Sequence, residues 1–111
     1  MKIIATKYLI PKGFTGIALY PFIIVNDSSL RGNTRFINHE KIHLRQQAEM
    51  LILPFYLWYG IEFIVKMLYY GNRYKAYRNV CFEKEAYENE DDIAYLERRR
   101  PWNFIKYILK E

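Results

Sequence analysis

Near the start of the chain, apolar residues occur in short runs, as is typical of strands. Residues 2–10 and 16–25 are runs rich in β-branched and aromatic residues, which predicts two strands. The first run is closed by Pro11-Lys12-Gly13, which predicts a turn. Pro21 lies within the second run and cannot donate a ladder hydrogen bond, so the pattern predicts a sheet edge or a bulge there.

From Asn33 onward the apolar spacing becomes helical. Asn33 or Thr34 is suited to cap a helix that begins near residue 35 and runs toward residue 53, where Pro54 breaks it or starts another. Three further helical segments are predicted at 55–70, 80–100 and 102–110, and a basic, tyrosine-rich connection at 73–79 follows the Gly71-Asn72 stop signal. In the last segment, one side is apolar and comprises Phe104, Ile105, Ile108 and Leu109.

Strands followed by helices predict an α+β fold. We expect one domain over residues 1–111, in which a small antiparallel sheet of two or more strands is followed by a helical core. A content of 51% hydrophobic and 18% aromatic residues supplies a packed core and argues against global disorder.

The net charge and the cysteine content restrict which cellular compartments and which classes of partner are to be expected. The net charge of +5 favours anionic neighbours such as lipid headgroups, but no groove-reading motif accompanies Arg98-Arg99-Arg100, which disfavours nucleic acid. We interpret that arginine run as a solvated helix end. Cys81 is the single cysteine, and Lys7 interrupts the first apolar run, so neither a disulfide nor a signal peptide is predicted. The expected location is the cytoplasm, with association at a membrane surface as an option.

Residues 39–43 read His-Glu-Lys-Ile-His and form the motif with the clearest chemistry. On a helix, His39 and His43 lie one above the other and direct their rings toward one metal ion. Glu40 leans toward the same side, where a carboxylate takes a proton from a metal-activated water. Because a catalytic zinc site takes three protein ligands and a water, the motif predicts zinc. The alternative is a helix surface whose histidines and glutamate are only solvated.

A third ligand has to come from outside the motif. His39 and His43 are the only histidines, and a thiol suits a hydrolytic site of this type poorly, so a carboxylate is the natural choice. The acidic residues of the third helical segment are the candidates: Glu83, Glu85, Glu88, Glu90, Asp91 and Asp92.

The sequence around the motif resembles a minimal gluzincin, and among gluzincins the membrane-linked peptidase domains of the HtpX and BlaR/MecR families. Those families follow the His-Glu-x-x-His helix with a hydrophobic segment and then Glu-x-x-Ala-Asp. Here the counterparts are residues 39–43, 50–70 and 82–87, and aligning Ala86 on the family alanine implies Glu83 as the third ligand. Tyr87 stands where the families carry an acidic residue; it is interpreted as a hydrogen-bond partner of a ligand or an oxyanion stabiliser, or alternatively as a core aromatic.

The resemblance implies a zincin-like core and zinc-dependent hydrolysis of a peptide or protein substrate, with His39, His43 and Glu83 holding zinc and Glu40 as the base. It also implies that an extended substrate pairs with an edge strand, for which 21–25 is the candidate. The rival hypothesis is a non-catalytic zinc-binding module at a membrane surface or a protein interface. For residues 50–70 we favour a central core helix over membrane insertion, since Glu62 and Lys66 interrupt the apolar run.

Overall fold

Three short strands and five α-helices make up the part of the chain that the computed structural model describes, residues 2–6, 8, 15–108 and 110. The strands are β1 (Lys2–Ala5), β2 (Gly16–Leu19) and β3 (Phe22–Val25). The helices are α1 (Thr34–Met50), α2 (Leu53–Tyr70), α3 (Arg73–Arg78), α4 (Cys81–Asn89) and α5 (Tyr95–Arg98). Two 3₁₀ turns cover Ser28–Gly32 and Asn103–Tyr107. The α+β class is confirmed, while the predicted turn at 11–13 lies outside the described residues.

The sheet is mixed and has the order β1-β3-β2. β1 runs parallel to β3 and β2 runs antiparallel to it, so the prediction of an antiparallel sheet is wrong for the β1–β3 pair. The predicted single strand over 16–25 is divided in two, because Tyr20 and Pro21 form the tight turn between β2 and β3. Pro21 therefore lies outside the ladder, which its missing N–H favours. β3 occupies the centre of the sheet, and the prediction that 21–25 forms an edge is also wrong.

Helix α1 is the central element of the fold. It begins as predicted, with the side chain of Asn33 accepting a hydrogen bond of 3.0 Å from the N–H of Phe36. One side of α1 packs on the sheet through Ile37 and Leu44. Its other side packs on α4 and α5 through Ile42. Burial on both sides fixes the direction in which the remaining faces of α1 point.

The interpretation of residues 50–70 as a central core helix is wrong. α2 leaves α1 at an angle of 112°, and Phe55 is its one buried residue. Pro54 lies in its first turn and Gly71, with φ of 65°, ends it, both as the sequence predicts. Among the described residues no single helix is long and apolar enough to cross a bilayer, although the bent pair α1–α2 meets that criterion by length and composition.

The predicted helix over 80–100 is interrupted between α4 and α5. Asn38 of α1 explains the break, because its side-chain amide donates to the carbonyls of Asn89, Glu90 and Asp92 at 3.3, 2.9 and 3.0 Å. Those carbonyls are satisfied outside a helical ladder, which stabilises the turn. The predicted helix over 102–110 is a short 3₁₀ turn at Asn103–Tyr107; Leu109 lies outside the described residues.

The interpretation of Arg98-Arg99-Arg100 as a solvated helix end is wrong for Arg99. Its guanidinium is fully buried and bonds the carboxylates of Glu85 and Glu49, with 2.7 Å between Nη1 and Glu49 Oε2. Tyr95 and Gln46 also donate to Glu85, at 2.5 and 2.8 Å. This buried ion cluster joins the C-terminal part of the chain to α1 and α4.

We expect Arg99→Ala to lower the free energy of unfolding by about 3–5 kcal/mol, because the buried carboxylate of Glu85 and the partly buried one of Glu49 would lose their cation. Chemical denaturation followed by circular dichroism measures the loss. Arg98→Ala is the matched control: Arg98 forms an exposed ion pair with Asp92, and its removal leaves stability almost unchanged. Equal losses in the two variants would contradict a structural role for the buried cluster.

Candidate metal centre

The two histidines of α1 meet at their Nε2 atoms. One helical turn separates His39 from His43, and the two Nε2 atoms lie 3.2 Å apart. Both residues are buried, with 5% and 6% of their surfaces exposed. The i, i+4 spacing stacks the rings on one face, as the sequence predicts.

Glu83, in the first turn of α4, completes the cluster. Its Oε1 lies 3.2 Å from Nε2 of His39 and 3.0 Å from Nε2 of His43. The structure therefore contains a buried His39/His43/Glu83 cluster that is able to bind a metal ion. The other five acidic candidates are engaged elsewhere: Glu85 with Arg99, Glu88 with Lys110, Glu90 with the far side of His39, Asp91 with Arg35 and Asp92 with Arg98.

The hydrogen bonds at Nδ1 determine which nitrogen of each neutral ring keeps its proton. His39 Nδ1 donates to Oε2 of Glu90 at 2.9 Å, and His43 Nδ1 donates to Oε1 of Gln46 at 2.8 Å. The Gln46 amide is oriented by donating to the carbonyl of Phe82 and to Glu85. With both protons at Nδ1, the Nε2 lone pairs point at the same place as a lone pair of Glu83 Oε1.

The spacing of these three atoms suits a zinc ion. A tetrahedral ion with ligand bonds of about 2.0–2.1 Å holds its ligand atoms about 3.3 Å apart. The three distances observed here are 3.2, 3.2 and 3.0 Å. Two imidazoles and a carboxylate form a borderline donor set that accepts zinc and other divalent transition ions. The residues present thus fit a zinc ion in both chemistry and spacing.

The electrostatics of the cluster favour a cation. Burial alone lowers the pKa of His43, but the charge and hydrogen bond of Glu83 raise it to about 9. Burial alone raises the pKa of Glu83, but His43 and His39 hold it well below its usual range. In the metal-free site, His43 and Glu83 therefore share a proton, and this proton supplies the positive charge that a metal ion would otherwise bring. Metal binding has to displace that proton.

Glu40 lies beside the cluster and is not among its three ligands. Its side chain is buried, and it lines an open cleft of about 1010 Å³ together with His39 of α1 and Tyr59 of α2. Burial raises the pKa of Glu40, an effect that His43 and His39 oppose. The motif thus places a carboxyl group at the cleft, next to the metal-binding atoms.

Each candidate ligand is held by a neighbour that the sequence analysis did not assign to it. Glu90 and Gln46 orient the two imidazoles, and Tyr59 donates to Oε2 of Glu83 at 2.6 Å. Burial raises the pKa of Tyr59, which keeps it a neutral donor. Glu90 follows Glu83 by seven residues, or two helical turns, and that spacing is the signal that could have identified it.

Tyr87, which the sequence analysis interpreted as a partner of a ligand, contacts His39 through its ring. The ring centroids lie 4.4 Å apart in an edge-on arrangement. Its hydroxyl forms a hydrogen bond of 2.7 Å with the hydroxyl of Tyr77, and both residues line the cleft. The predicted stabilisation of an oxyanion by Tyr87 stays a prediction.

We expect Glu90→Gln to weaken zinc binding about 10–100-fold, because the carboxylate accepts the Nδ1 proton of His39 and so fixes the tautomer and the orientation of that ring. Competition with a chromophoric chelator measures the affinity. Asp91→Asn is the matched control, since Asp91 is the exposed neighbour that shares Arg35 with Glu90. Unchanged affinity in Glu90→Gln would show that Glu90 does not support the ligand.

Comparison of the sequence with protein-family models and with curated proteins, and of the fold with solved structures, gives no significant match. The cluster itself is therefore the ground for inferring a function.

Proposed function

We propose that this chain is a zinc-dependent hydrolase of the gluzincin type that cleaves peptide bonds. One observation carries the proposal: three lone pairs, from His39, His43 and Glu83, converge with spacings of 3.0–3.2 Å beside a cleft that also contains Glu40. The sequence resemblance to gluzincins supports the same assignment of ligands and base.

In this proposal His39, His43 and Glu83 hold zinc, which when bound polarises a carbonyl and makes water acidic near neutral pH. Glu90, Gln46 and Tyr59 keep the three ligands oriented for that task. Since the ligands come from α1 and α4, packing between these helices determines the geometry of the site.

Glu40 is the general base. It receives a proton from the attacking water and delivers it to the amine nitrogen that leaves when the peptide bond breaks. Its burial disfavours the charged form, so an accepted proton is readily held. Glu40 lines the open cleft, where a substrate can reach it. His43 and Glu83 point at each other and need no such access to the substrate.

Among the described strands, none pairs with the edge of β2 that faces away from β3, and this edge is suited to bind an extended peptide. The antiparallel register turns the N–H and C=O of Gly16 and Ala18 away from β3. At Ala18 the carbonyl already accepts from Gln47 and Tyr56, whereas Gly16 lines the cleft. A substrate strand would therefore pair at the Gly16 end of β2.

Gly16 is suited to this place because it has no side chain. A Cβ atom there would lie 2.4 Å from Cζ of Phe36 and 2.8 Å from the carbonyl oxygen of Ile24. A larger residue would push the ring of Phe36, which also lines the cleft.

A non-catalytic zinc module is the second candidate, and the burial of the ligands favours it. No more than 6% of the surface of His39, His43 or Glu83 is exposed. Zinc would then tie α1 to α4, and its removal would unfold the chain.

Cleavage of a mixed peptide library, followed by mass spectrometry, tests the proposal. We expect the zinc-loaded chain to cleave peptides, the chelator-treated chain to be inactive, and added zinc to restore cleavage. A zinc-loaded chain that cleaves nothing, and that loses its folded circular dichroism signal when zinc is removed, would favour the structural module.

A further inference from the structure

Three arginines line the cleft beside the metal-binding cluster: Arg35, Arg73 and Arg78. Arg35 belongs to α1 and is paired with Glu90 at 3.2 Å and with Asp91 at 2.9 Å. Arg73 and Arg78, at the two ends of α3, are exposed to solvent. Within the part of the chain that the structure describes, no carboxylate pairs with either of them. The cleft therefore contains two cationic side chains that are available to an anionic ligand.

The guanidinium of Arg78 is held in place by tyrosine side chains. Its Nη1 donates to the hydroxyl of Tyr74 at 3.0 Å, and its Cζ lies 3.8 Å from the centre of the Tyr87 ring. The hydrogen bond to Tyr74 uses one of the five N–H donors that a guanidinium carries. Stacking on an aromatic ring restricts the plane of the group without using its N–H donors. Arg78 is therefore oriented in advance and still has donors to offer a ligand.

Tyr87 connects this guanidinium to the metal centre. Its ring contacts Arg78 and also the ring of His39, whose centre lies 4.4 Å away from its own. One aromatic ring thus separates the cation from a candidate zinc ligand. An extended peptide advances about 3.3 Å per residue. A substrate group bound at Arg78 would therefore lie within about three residues of a peptide bond held at the metal.

We propose that Arg73 and Arg78 form a subsite that binds a carboxylate of the peptide substrate. The inference rests on the proposed peptidase function, because the carboxylates that a peptide carries are its C-terminus and its aspartate and glutamate side chains. The planar fork of a guanidinium matches a carboxylate through two parallel hydrogen bonds. The second cation in the same cleft adds electrostatic attraction. The subsite would select peptides that have a carboxylate close to the cleaved bond.

The carboxylates that line the same cleft do not neutralise the two arginines of α3. Glu90 is paired with Arg35 and accepts a hydrogen bond of 2.9 Å from Nδ1 of His39. Glu40 is buried, and its burial disfavours the charged form of the carboxyl group. The positive charge of α3 thus remains available to a carboxylate that enters with the substrate.

Fluorescence anisotropy with short labelled peptides tests the inference and requires no turnover. The probes are alanine-rich peptides with an N-terminal fluorophore, measured before any cleavage products accumulate. One pair ends in a free carboxylate or in an amide. A second series ends in an amide throughout and carries either glutamate or glutamine at each internal position in turn. The first pair thus tests the terminal carboxylate, and the second series tests an acidic side chain.

We expect the zinc-loaded chain to bind a carboxylate peptide of at least one series about tenfold more tightly than its neutral partner, a preference that salt weakens. Arg78→Gln should reduce the preference to less than about twofold, because the fork is lost. Arg73→Gln is the second variant, and since Arg73 forms no ring contact among the described residues, a loss there does not arise from a displaced Tyr87. Arg45→Gln is the matched control, at an exposed position of α1 that does not line the cleft.

Equal binding of charged and neutral peptides, or no binding of any of them, overturns the inference. So does a preference that persists in both Arg78→Gln and Arg73→Gln. Cleavage tests the proposed function separately. A chain that cleaves peptides without preferring carboxylates lacks the subsite and keeps the function, whereas a chain that prefers carboxylates and cleaves nothing keeps the subsite and lacks the function.

Discussion

Zinc, expected at about one ion per wild-type chain, should be lost when Glu83 or His43 is replaced by alanine. Each substitution removes one of three converging ligand atoms, and the two that remain hold the ion weakly. Because loss of a supporting residue already costs 10–100-fold in affinity, we expect loss of a ligand to cost more than about a hundredfold. Plasma mass spectrometry after dialysis gives the metal content, and competition with a chelator gives the affinity.

Glu88→Ala is the control for the ligand variants. Glu88 is another carboxylate of α4, but it is exposed and pairs with Lys110 at 2.7 Å, so zinc content should not change. Native circular dichroism in the absence of zinc separates a lost ligand from a lost fold. A wild-type chain without affinity for zinc, or full affinity in Glu83→Ala, would refute the metal centre.

The central part of the site could be predicted from the sequence because it depends on local geometry. Asn33 caps the helix, and the spacing of His39 and His43 then stacks their rings whatever the rest of the chain does. Glu83 is 40 residues away from His43, so its selection among six acidic residues rested on the resemblance to gluzincins. The structure brings its Oε1 within 3.2 Å of both rings.

The positions that the sequence leaves undecided or mispredicts depend on how α1 and α4 pack. From the sequence, Gln46 is suited either to the surface or to the support of a ligand, and in the structure it is fully buried and links His43 to Glu85. Arg99 looks like part of a solvated cationic run, yet it lies in the same network. Neither local spacing nor residue type distinguishes such buried polar residues from exposed ones. Their partners come from elements that are distant in sequence.

The errors in the fold have two physical causes. The β-branched and aromatic residues on both sides of Pro21 predict a continuous strand, but a tight turn tolerates the fixed φ and the missing N–H of proline better than a ladder does. The apolar pattern of α2, which extends nearly all round the helix, predicts a core position. In the structure the described residues cover one side of α2 and leave the aliphatic residues of its other side exposed.

Glu40→Gln should abolish peptide cleavage while zinc remains bound. Glutamine keeps the size of the side chain and cannot accept the proton of the attacking water, so we expect the rate to fall by about 10²–10⁴-fold. Zinc content stays the same because Glu40 is not among the three converging residues. Turnover of a cleaved library peptide and plasma mass spectrometry on the same sample measure both quantities.

Lys41→Gln is the control for Glu40→Gln, since it creates the same residue at the exposed neighbouring position of the motif and should retain full activity. The pair of measurements separates the two candidate functions. Lost turnover with zinc retained is the result that a general base requires, because only the proton transfer is removed. If instead Glu40→Gln cleaves as fast as the wild-type chain, the base assignment is wrong. If neither the wild-type chain nor Glu40→Gln cleaves peptides and removal of zinc unfolds both, the cluster has a structural role. The free energy of zinc binding then contributes only to folding.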